Sequence, residues 1–586
     1  MYTESSATGP SSAINPRVEA QSEDHGILPF LGPVLDYTPG KTITIERRLS
    51  LDEDLYLADH AFVHAPGLKP LAACLPVLPL TMSLEAMAEV AACLVPGCGL
   101  LGFEEIRAAR WIELTDTEVL ALQITAHVDR HDAGRGTTFL RVAIQIEGQA
   151  QPAVSGAVLF GCRYVAELCP TFNELSAAHR HPLSAEQIYS ERHMFHGPCF
   201  QGLAGEIIIG DQGIAGEFVV RSPEALFRST RYPQLLADPA LLDAVGQLIG
   251  IFAAEHGRTA FPIGLKKLEI YSPTPPPGTR VPARVEITRS EGMVLYANVE
   301  IENGAGAVWM RIADWGSWKF RWEQRVADFR RLPDKYLVAK PAPFSDDPHP
   351  GAVILQLTAG DLGNFDLGML ARYFLSMEEM PIFQNHARVP ERQRQWLLGR
   401  VAAKDAVRLW VAGQGRLNML HPAAITLSND VKGRPFVKAL PGCAKAPQVS
   451  IAHCEDRAIA TAHYGEVGVD IERISARDAS FIDAFTTPHE RALIESFPET
   501  ERHRLITRIW CAKEAAGKLL GTGVDGAAQQ FETLRASAGS HIEVMHKPSA
   551  RPIIVRTAEE SGFIMACATT PAAELADNAN RVCGRV

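Results

Sequence analysis

A short apolar strand that carries two carboxylates constrains this chain more than any other segment. In Val467–Glu472, the acidic residues Asp470 and Glu472 stand among valine and isoleucine. The apolar flanks predict a buried strand, and residues two apart on a strand point to the same face. Buried carboxylates are costly without a partner, and a shared metal ion would remove that cost. The strand therefore predicts a site on one of its faces.

A second segment supplies matching chemistry about forty residues later. Trp510–Lys518 has a helical composition, and Glu514 and Lys518 are four residues apart, which places them on one helix face. Carboxylate oxygens are the ligands that Mg²⁺ prefers, usually together with substrate phosphates and water. The three carboxylates and the lysine therefore predict a site that holds a magnesium pyrophosphate and cleaves it.

These two segments resemble the signature motifs of Sfp-type phosphopantetheinyl transferases, which move the phosphopantetheine arm of coenzyme A onto a serine of a carrier protein. Three upstream segments are similar to further motifs of that family, namely its basic helix, its turn beside the nucleotide and its Ser-x-Ser-His-Ser segment: Arg394–Lys404, Gly433–Pro435 and Val449–Cys454. In the last of these, Ala452 and Cys454 replace two serines. The resemblance covers roughly residues 350–580.

The resemblance to the transferases implies a role for each of these polar residues. Three residues are expected to bind Mg²⁺ on the pyrophosphate of coenzyme A: Asp470, Glu472 and Glu514. Glu514, directly or through a metal-bound water, would deprotonate the carrier serine, and Lys518 would stabilise or protonate the departing 3′,5′-ADP. Four residues are expected to hold the nucleotide phosphates and ribose: Arg400, Lys404, Arg434 and His453.

Composition limits the class of protein. A chain of 586 residues is too long for one core and suggests three or four domain-sized units. The 46% hydrophobic and 21% charged content is ordinary for globular proteins, and no apolar run reaches the roughly 18 residues that span a bilayer. The eleven cysteines lack metal or disulfide spacing, and the net charge of −11 gives no reason to expect nucleic-acid binding. We expect a cytoplasmic enzyme without nucleic-acid or membrane partners.

The order of elements repeats within residues 26–325. A helical stretch at Leu80–Leu94 precedes several alternating runs, and a second one at Pro239–Glu255 precedes several more. This order predicts two α+β halves, each with one long helix and an antiparallel sheet. A stretch rich in proline and charge then predicts a linker, after which the C-terminal part should fold alone. The predicted division is a disordered tail 1–25, halves 26–165 and 166–325, a linker 326–350 and a domain 351–580.

Three segments of the repeated region carry chemistry: Asp59 and His60 ahead of Leu78–Leu80, Met194–Gly202, and Asp238–Gln247 at the start of the second helix. Together they resemble the double hot-dog dehydratases of polyketide and polyunsaturated fatty acid synthases, over roughly residues 28–322. The resemblance implies a tandem hot-dog domain, followed by an Sfp-like pseudo-twofold α+β transferase domain. It also implies that His60 and Asp243 face each other across the two halves.

Dehydration of a 3-hydroxyacyl thioester needs a base for the α-proton and an acid for the departing hydroxyl. The imidazole of His60 suits the base, with an ordinary pKa of about 6.5. Asp243 can be the acid if a desolvating apolar tunnel raises its pKa. His64 occupies a position that is glycine in the family, ahead of an apparent insertion at 65–76. We assign the base to His60, because an Asp-His step after a strand is typical of these dehydratases.

Two other residues of this region have lesser expected roles. His196 is expected to shape the tunnel mouth, and Cys199 is expected to be a packed small residue. The sequence thus predicts a two-enzyme chain whose partners are coenzyme A and an acyl carrier protein. A homodimer through the hot-dog region is compatible with the resemblance. A hot-dog module that only docks the carrier protein is the alternative, and a hot-dog thioesterase acting on coenzyme A esters fits the His–Asp pairing less well.

Overall fold

The computed structural model describes residues 27–164, 168–172, 174–344, 351–414, 419–524, 526–536 and 540–570. The predicted tail at 1–25 lies outside these residues. Within them, no helix combines the length and the apolarity needed to cross a bilayer.

One antiparallel sheet organises the N-terminal part of the chain. Its strands are β1 (Val34–Thr38), β2 (Thr42–Ser50), β3 (Gly99–Ala108), β4 (Val119–Asp132), β5 (Thr137–Ile146), β6 (Val154–Gly161), β7 (His179–Arg180), β8 (Leu203–Gly210), β9 (Gly213–Val219), β10 (Thr259–Ile270), β11 (Arg280–Glu291), β12 (Val294–Glu302) and β13 (Val308–Phe320). The strand order is β1-β2-β4-β5-β6-β3-β10-β13-β12-β11-β9-β8-β7. The two predicted halves therefore meet where β3 pairs with β10.

Two buried helices pack against this sheet. The helices of the N-terminal part are α1 (Leu80–Ala92), the short α2 (Ala185–Ser190) and α3 (Pro239–Glu255). Helices α1 and α3 contact each other and are buried on almost every side, as their apolar composition requires. The prediction of two α+β halves, each with a long helix, is confirmed.

A reciprocal pair of glycines allows the two halves to join. Gly102 of β3 and Gly264 of β10 have φ angles of 149° and 150°, a conformation that side chains rarely adopt. A Cβ on Gly102 would lie 1.9 Å from the carbonyl oxygen of Leu268, and one on Gly264 would lie 2.2 Å from that of Ile106. The central strands can approach this closely because both residues lack a side chain.

The C-terminal part contains two smaller sheets. The strands of the first are β14 (Lys340–Pro341), β15 (Val353–Thr358), β16 (Thr426–Asn429), β17 (Pro435–Ala439), β18 (Gln448–Cys454) and β19 (Arg457–His463), in the order β14-β15-β19-β18-β17-β16. Those of the second are β20 (Val467–Arg473), β21 (Phe531–Ala536), β22 (His541–His546), β23 (Arg551–Glu560) and β24 (Phe563–Thr569), in the order β20-β24-β23-β22-β21.

Each of these sheets packs against one long helix. The helices of this part are α4 (Gln324–Arg331), α5 (Ala359–Leu362), α6 (Leu367–Phe374), α7 (Met380–Asn385), α8 (Pro390–Ala412), α9 (Ala479–Phe485), α10 (Pro488–Glu495) and α11 (Glu499–Leu520). Helix α8 contacts β15, β18 and β19, and α11 contacts β20 and β24. The two halves of the C-terminal part therefore repeat one helix-on-sheet arrangement, which agrees with the predicted α+β fold.

The predicted linker at 326–350 is wrong over its described part, residues 326–344. Helix α4 buries Val326 and Phe329 completely in the core beneath α8. Asp405 of α8 accepts hydrogen bonds from the backbone N–H groups of Val338 and Ala339, at 2.8 and 2.9 Å. The charges and prolines that suggested a linker belong instead to a segment whose apolar side chains are anchored in the interior.

The insertion predicted at 65–76 joins the two parts of the chain. Phe62, Val63 and Leu75 belong to the same buried core as α6 and α8. The hydroxyl of Tyr373 donates to the carbonyl of Phe62 at 2.6 Å, and further bonds link α6 to residues 69, 73 and 116. The two parts therefore share a core, and independent folding of 351–586 is not expected.

Candidate active sites

A largely apolar pocket is lined by residues of both halves of the first sheet, and three polar residues lie at its buried end. The residues His60, His196 and Asp243 are only 7–8% exposed, and all three line the pocket. Their nearest polar atoms all lie within 4.8 Å of one another. The predicted pair of His60 and Asp243 is thus brought together, with a second histidine between the two halves.

The environment of His60 fixes its protonation. Its Nδ1 lies 2.7 Å from the carbonyl oxygen of Val77. Because a carbonyl can only accept, Nδ1 carries the hydrogen and Nε2 is the unprotonated nitrogen of the neutral ring. Burial lowers the pKa of His60 to about 4, with His196 contributing in the same direction and Asp243 opposing. His60 is therefore neutral at pH 7 and suited to accept a proton.

Asp243 differs from the expectation. Its burial on α3 raises the pKa, but His196, His60 and Gln247 together outweigh this, so the pKa is lowered. Nε2 of His196 lies 3.1 Å from Oδ2 of Asp243, and Nε2 of Gln247 donates to the same oxygen at 2.8 Å. The prediction that the tunnel raises the pKa of Asp243 is therefore wrong, because polar neighbours stabilise the carboxylate.

His196 is predicted at the tunnel mouth, but it lies at the buried end of the pocket, next to Asp243. The loop that carries it docks on Asp59, whose carbonyl oxygen accepts from the N–H of Gly197 at 2.7 Å. A Cβ on Gly197 would lie 2.2 Å from Oδ1 of Asp59. Asp59 precedes His60 in the chain, so one residue positions both histidines. The glycine that follows His196 is the feature of the sequence that could have indicated this close approach.

His64 and Cys199 lie outside this polar group. The carbonyl of His64 accepts from Nε2 of His421, in the C-terminal part of the chain, at 3.1 Å, and His64 does not line the pocket. Cys199 donates its backbone N–H to Asp59, and burial raises the pKa of its thiol to about 12. A thiol that stays protonated is consistent with packing rather than catalysis.

The predicted strand and helix of the transferase motifs are confirmed, and they pack directly on each other. Asp470 and Glu472 lie on β20, and Glu514 and Lys518 lie on α11. A Cβ on Gly468 would lie 2.0 Å from the carbonyl oxygen of Ala515. The missing side chain at Gly468 allows the contact that sets the two motifs side by side.

Asp470 has one satisfied and one unsatisfied oxygen. Its Oδ1 accepts from Nζ of Lys518 at 2.7 Å, and the same ammonium donates to the carbonyl of Val469 at 3.1 Å. Oδ2 is buried and has no hydrogen-bond partner among the described residues. Burial lowers the pKa of Lys518, but Asp470 and Glu514 raise it further than burial lowers it.

The other carboxylates complete a set that suits a hard divalent cation. Oε1 of Glu472 accepts from Nε1 of Trp510 at 3.3 Å, and Oε2 accepts from Arg477 at 2.8 Å. Glu514 lies close enough to Lys518 to raise the pKa of its ammonium. Oxygen ligands from carboxylates, one of them buried and unsatisfied, fit Mg²⁺.

Lys404 cannot contact a nucleotide in this arrangement, so that prediction is wrong. Its side chain is fully buried, and Nζ donates to Glu379 and to three backbone carbonyls, among them that of Phe374. Lys513 of α11 is buried in the same way, against Glu490 and the carbonyl of Phe485. The lysine is thus part of an internal pairing that both halves of the transferase part repeat.

Two of the remaining nucleotide candidates, Arg434 and His453, lie beside the β20–α11 site. Arg434 donates to Glu466, and its Nη1 would lie 2.9 Å from a Cβ on Gly521, just beyond α11. Arg400 donates to Asn429, beside the turn that carries Arg434, and its Nη1 is buried without a partner among the described residues. Partial burial and the ammonium of Lys518 lower the pKa of His453.

Comparisons with known proteins give one family match in each part of the chain. Residues 466–568 match the model of the 4′-phosphopantetheinyl transferase superfamily, and residues 170–316 match that of the polyketide synthase dehydratase N-terminal domain. A holo-[acyl-carrier-protein] synthase of Bacillus pumilus is 34% identical over 108 residues, which are 18% of this chain and 80% of that protein.

Two further similarities involve larger synthases. One polypeptide of the polyunsaturated fatty acid synthase of Thraustochytrium is 20% identical over 243 residues, which are 40% of this chain and 8% of that polypeptide. The dehydratase domain from the CurF module of curacin polyketide synthase has 18% identity and a TM-score of 0.38, covering 50% of this chain and all of that domain. From the transferase relative and the two family matches, the chain is an enzyme that belongs to the 4′-phosphopantetheinyl transferase superfamily and also carries a polyketide synthase dehydratase domain.

Proposed function

We propose that this chain acts twice on an acyl carrier protein. It transfers the phosphopantetheine arm of coenzyme A to the carrier serine with the help of Mg²⁺, and it dehydrates 3-hydroxyacyl thioesters on that arm to 2-enoyl thioesters. The observation that carries the transfer is the buried, unsatisfied oxygen of Asp470 beside Lys518. The dehydration is supported by the group of His60, His196 and Asp243 in the pocket.

In the transferase, Asp470, Glu472 and Glu514 would hold Mg²⁺. When bound, that ion would neutralise charge on the pyrophosphate of coenzyme A as a Lewis acid. Glu514 would accept the proton of the carrier serine. Lys518 would then donate to the phosphate of the departing 3′,5′-ADP, since its ammonium already lies within the same site. Arg400, Arg434 and His453 would bind the nucleotide.

In the dehydratase, Nε2 of His60 would take the α-proton of the thioester. The electrons of that C–H bond form the double bond as the C–O bond to the 3-hydroxyl breaks. The hydroxyl leaves as water with a proton from the His196–Asp243 pair, because the lowered pKa of Asp243 argues against an isolated carboxylic acid. The proton on His60 then returns to that pair, whose polar atoms lie within 4.8 Å.

We also propose a revised division of the chain. The dehydratase halves are placed at 26–165 and 166–323, so the second half ends two residues earlier than the sequence predicts. The transferase part is placed from the start of α4 rather than from residue 351, because α4 packs into its core and β14 pairs with β15. The cytoplasmic location and a homodimer through the hot-dog region stay predictions.

The experiment combines both activities with one carrier. The purified chain is incubated with coenzyme A, Mg²⁺ and an apo acyl carrier protein, and the carrier is weighed intact. A 3-hydroxyacyl holo-carrier is then offered in the same way. Gain of one arm in the first reaction and loss of one water in the second support the proposal. Arm transfer without loss of water favours the docking-module alternative, and release of a free acid favours a thioesterase.

A further inference from the structure

The rim of the dehydratase pocket is positively charged. Three arginines line it, Arg110, Arg258 and Arg330, together with His193. Arg110 and Arg258 are exposed, whereas His60 and Asp243 are buried, which places these two arginines at the entrance and the reacting groups at the floor. Among the described lining residues, Asp243 is the sole carboxylate. A ligand that enters with an anionic group would find that group's partners at the rim.

Arg330 belongs to α4, which is part of the transferase core rather than of the dehydratase sheet. The neighbouring Phe329 is fully buried and stacks on Phe374 with ring centroids 4.7 Å apart. On the other side, Nη1 of Arg331 lies 2.9 Å from the carbonyl oxygen of Glu191 and 3.1 Å from Nε2 of His193. The helix is therefore fixed to both parts of the chain, which holds Arg330 in the wall of the pocket.

The guanidinium of Arg330 is incompletely satisfied. Its Cζ lies 4.4 Å from the centroid of Trp322, and its Nε is buried without a hydrogen-bond partner among the described residues. Burial lowers the pKa of Arg330, and the opposing influence comes from the hydroxyl of Tyr373. A desolvated cation in such a place gains from an anion that accepts two of its hydrogens, and a phosphate oxygen pair suits that geometry.

We propose that Arg330, with Arg258 and Arg110, binds the phosphate of a phosphopantetheine arm whose thioester reaches His60 and Asp243. This rests on the proposed dehydratase function and adds a specificity determinant supplied by the transferase core. The same phosphate occurs on a carrier-bound arm and in coenzyme A. The dehydratase pocket is thus completed by a residue from the part of the chain that attaches the arm.

The test compares thioesters with and without the phosphate. A 3-hydroxyacyl pantetheine, its 4′-phosphate, the coenzyme A ester and the holo-carrier ester are offered to the full-length wild type, Arg330→Met and Arg330→Lys. Arg325→Met is the matched control, because Arg325 is also on α4 but donates to the carbonyl of Ala339 and does not line the pocket. The readout is kcat/KM for loss of water.

We expect Arg330→Met to lower kcat/KM about tenfold on phosphorylated substrates, the size of one charged hydrogen bond, and to leave the pantetheine ester unchanged. Lysine should restore part of the loss, and Arg325→Met should change nothing. Equal losses on substrates with and without phosphate, or no loss on any, would overturn the proposal. A loss on every ester that carries the phosphate supports the site. A loss on the carrier ester alone would assign Arg330 to contacts with the carrier protein itself and would overturn the phosphate site.

A binding measurement separates this proposal from the dehydratase reaction itself. In the Asp470→Asn background without Mg²⁺, calorimetry compares the pantetheine ester with its phosphate. We expect the 4′-phosphate of the ester to bind more tightly than the ester without phosphate, and this difference to disappear in Arg330→Met. Such a result supports the site even when no water is lost. Phosphate-dependent binding that is equal with and without Arg330 refutes it.

Discussion

The ammonium of Lys518 lies 2.7 Å from Oδ1 of Asp470, while Oδ2 of the same carboxylate is buried without a partner among the described residues. This contact joins the strand motif to the helix motif. It also shows that Lys518 partly neutralises the carboxylate that is proposed to bind the cation. Binding of Mg²⁺ would satisfy the second oxygen, and Lys518 would then be available to the leaving nucleotide.

The first prediction concerns Asp470. Replacing it with asparagine removes the charge but keeps the shape, so we expect carrier modification to fall at least a hundredfold, while Lys518 loses its ion-pair partner. Thermal denaturation should show that Mg²⁺ with coenzyme A stabilises the wild type but not Asp470→Asn. Asp456→Asn is the control, since that carboxylate is half exposed and lies 3.9 Å from Arg457. Transfer within a few-fold of wild type in Asp470→Asn would refute the assignment.

The second prediction concerns His196. Phenylalanine can keep its stacking on Phe195, at 4.1 Å between centroids, but cannot contact Asp243 through a hydrogen bond. We expect dehydration to fall by about two orders of magnitude or more, as for loss of a general acid. His60→Ala and Asp243→Asn should lose similar factors, and the double variants little more, because the groups act as a unit.

The control for this series is His64→Ala, since His64 lies outside the pocket. It should retain dehydration within a few-fold, and all of these variants should modify the carrier as the wild type does. If His196→Phe dehydrates at the rate of the wild type, Asp243 alone is the acid. An inactive His64→Ala beside an active His60→Ala would show that the wrong histidine was chosen.

The sequence predicted the elements well where periodicity and motif agree. The bounds of α3 are those predicted, and the strand with Asp470 and the helix with Glu514 form as expected. The contacts of Lys404 and His196 could not be read from the sequence, because they depend on which face of a helix or loop is buried. The prediction of a linker was wrong for a related reason. Val326 and Phe329 are two apolar residues among many polar ones, yet their burial anchors the whole segment.

A third prediction follows from the pKa of His60. Its folded-state value of about 4 lies below the ordinary 6.5, so the unfolded chain binds more protons between these values. The stability that His60 contributes is complete above pH 6.5 and is lost as the pH falls to about 4, on the order of 3 kcal/mol. Urea unfolding at pH 7 and pH 5 should show a smaller pH effect in His60→Gln than in wild type. An identical pH effect in both would contradict the buried neutral imidazole.

A fourth prediction concerns fragments. A chain that starts at residue 351 lacks Val326, Phe329 and Val338, all fully buried. At about 2 kcal/mol for each such side chain, the loss is comparable with the whole stability of a domain. We expect that fragment to be insoluble or unfolded by circular dichroism, and a fragment from residue 324 to retain more structure. A stable, active 351–586 would show that α4 is dispensable.

The most direct test is intact mass measurement on a single carrier protein. The apo-carrier is incubated with the chain, coenzyme A and Mg²⁺, and, in a parallel reaction, the 3-hydroxyacyl holo-carrier is incubated with the chain alone. We predict a mass increase of one phosphopantetheine arm in the first reaction, absent in Asp470→Asn, and a loss of one water in the second, absent in His60→Ala. If no apo-carrier in a panel of carrier proteins gains the mass of the arm, the central claim is contradicted.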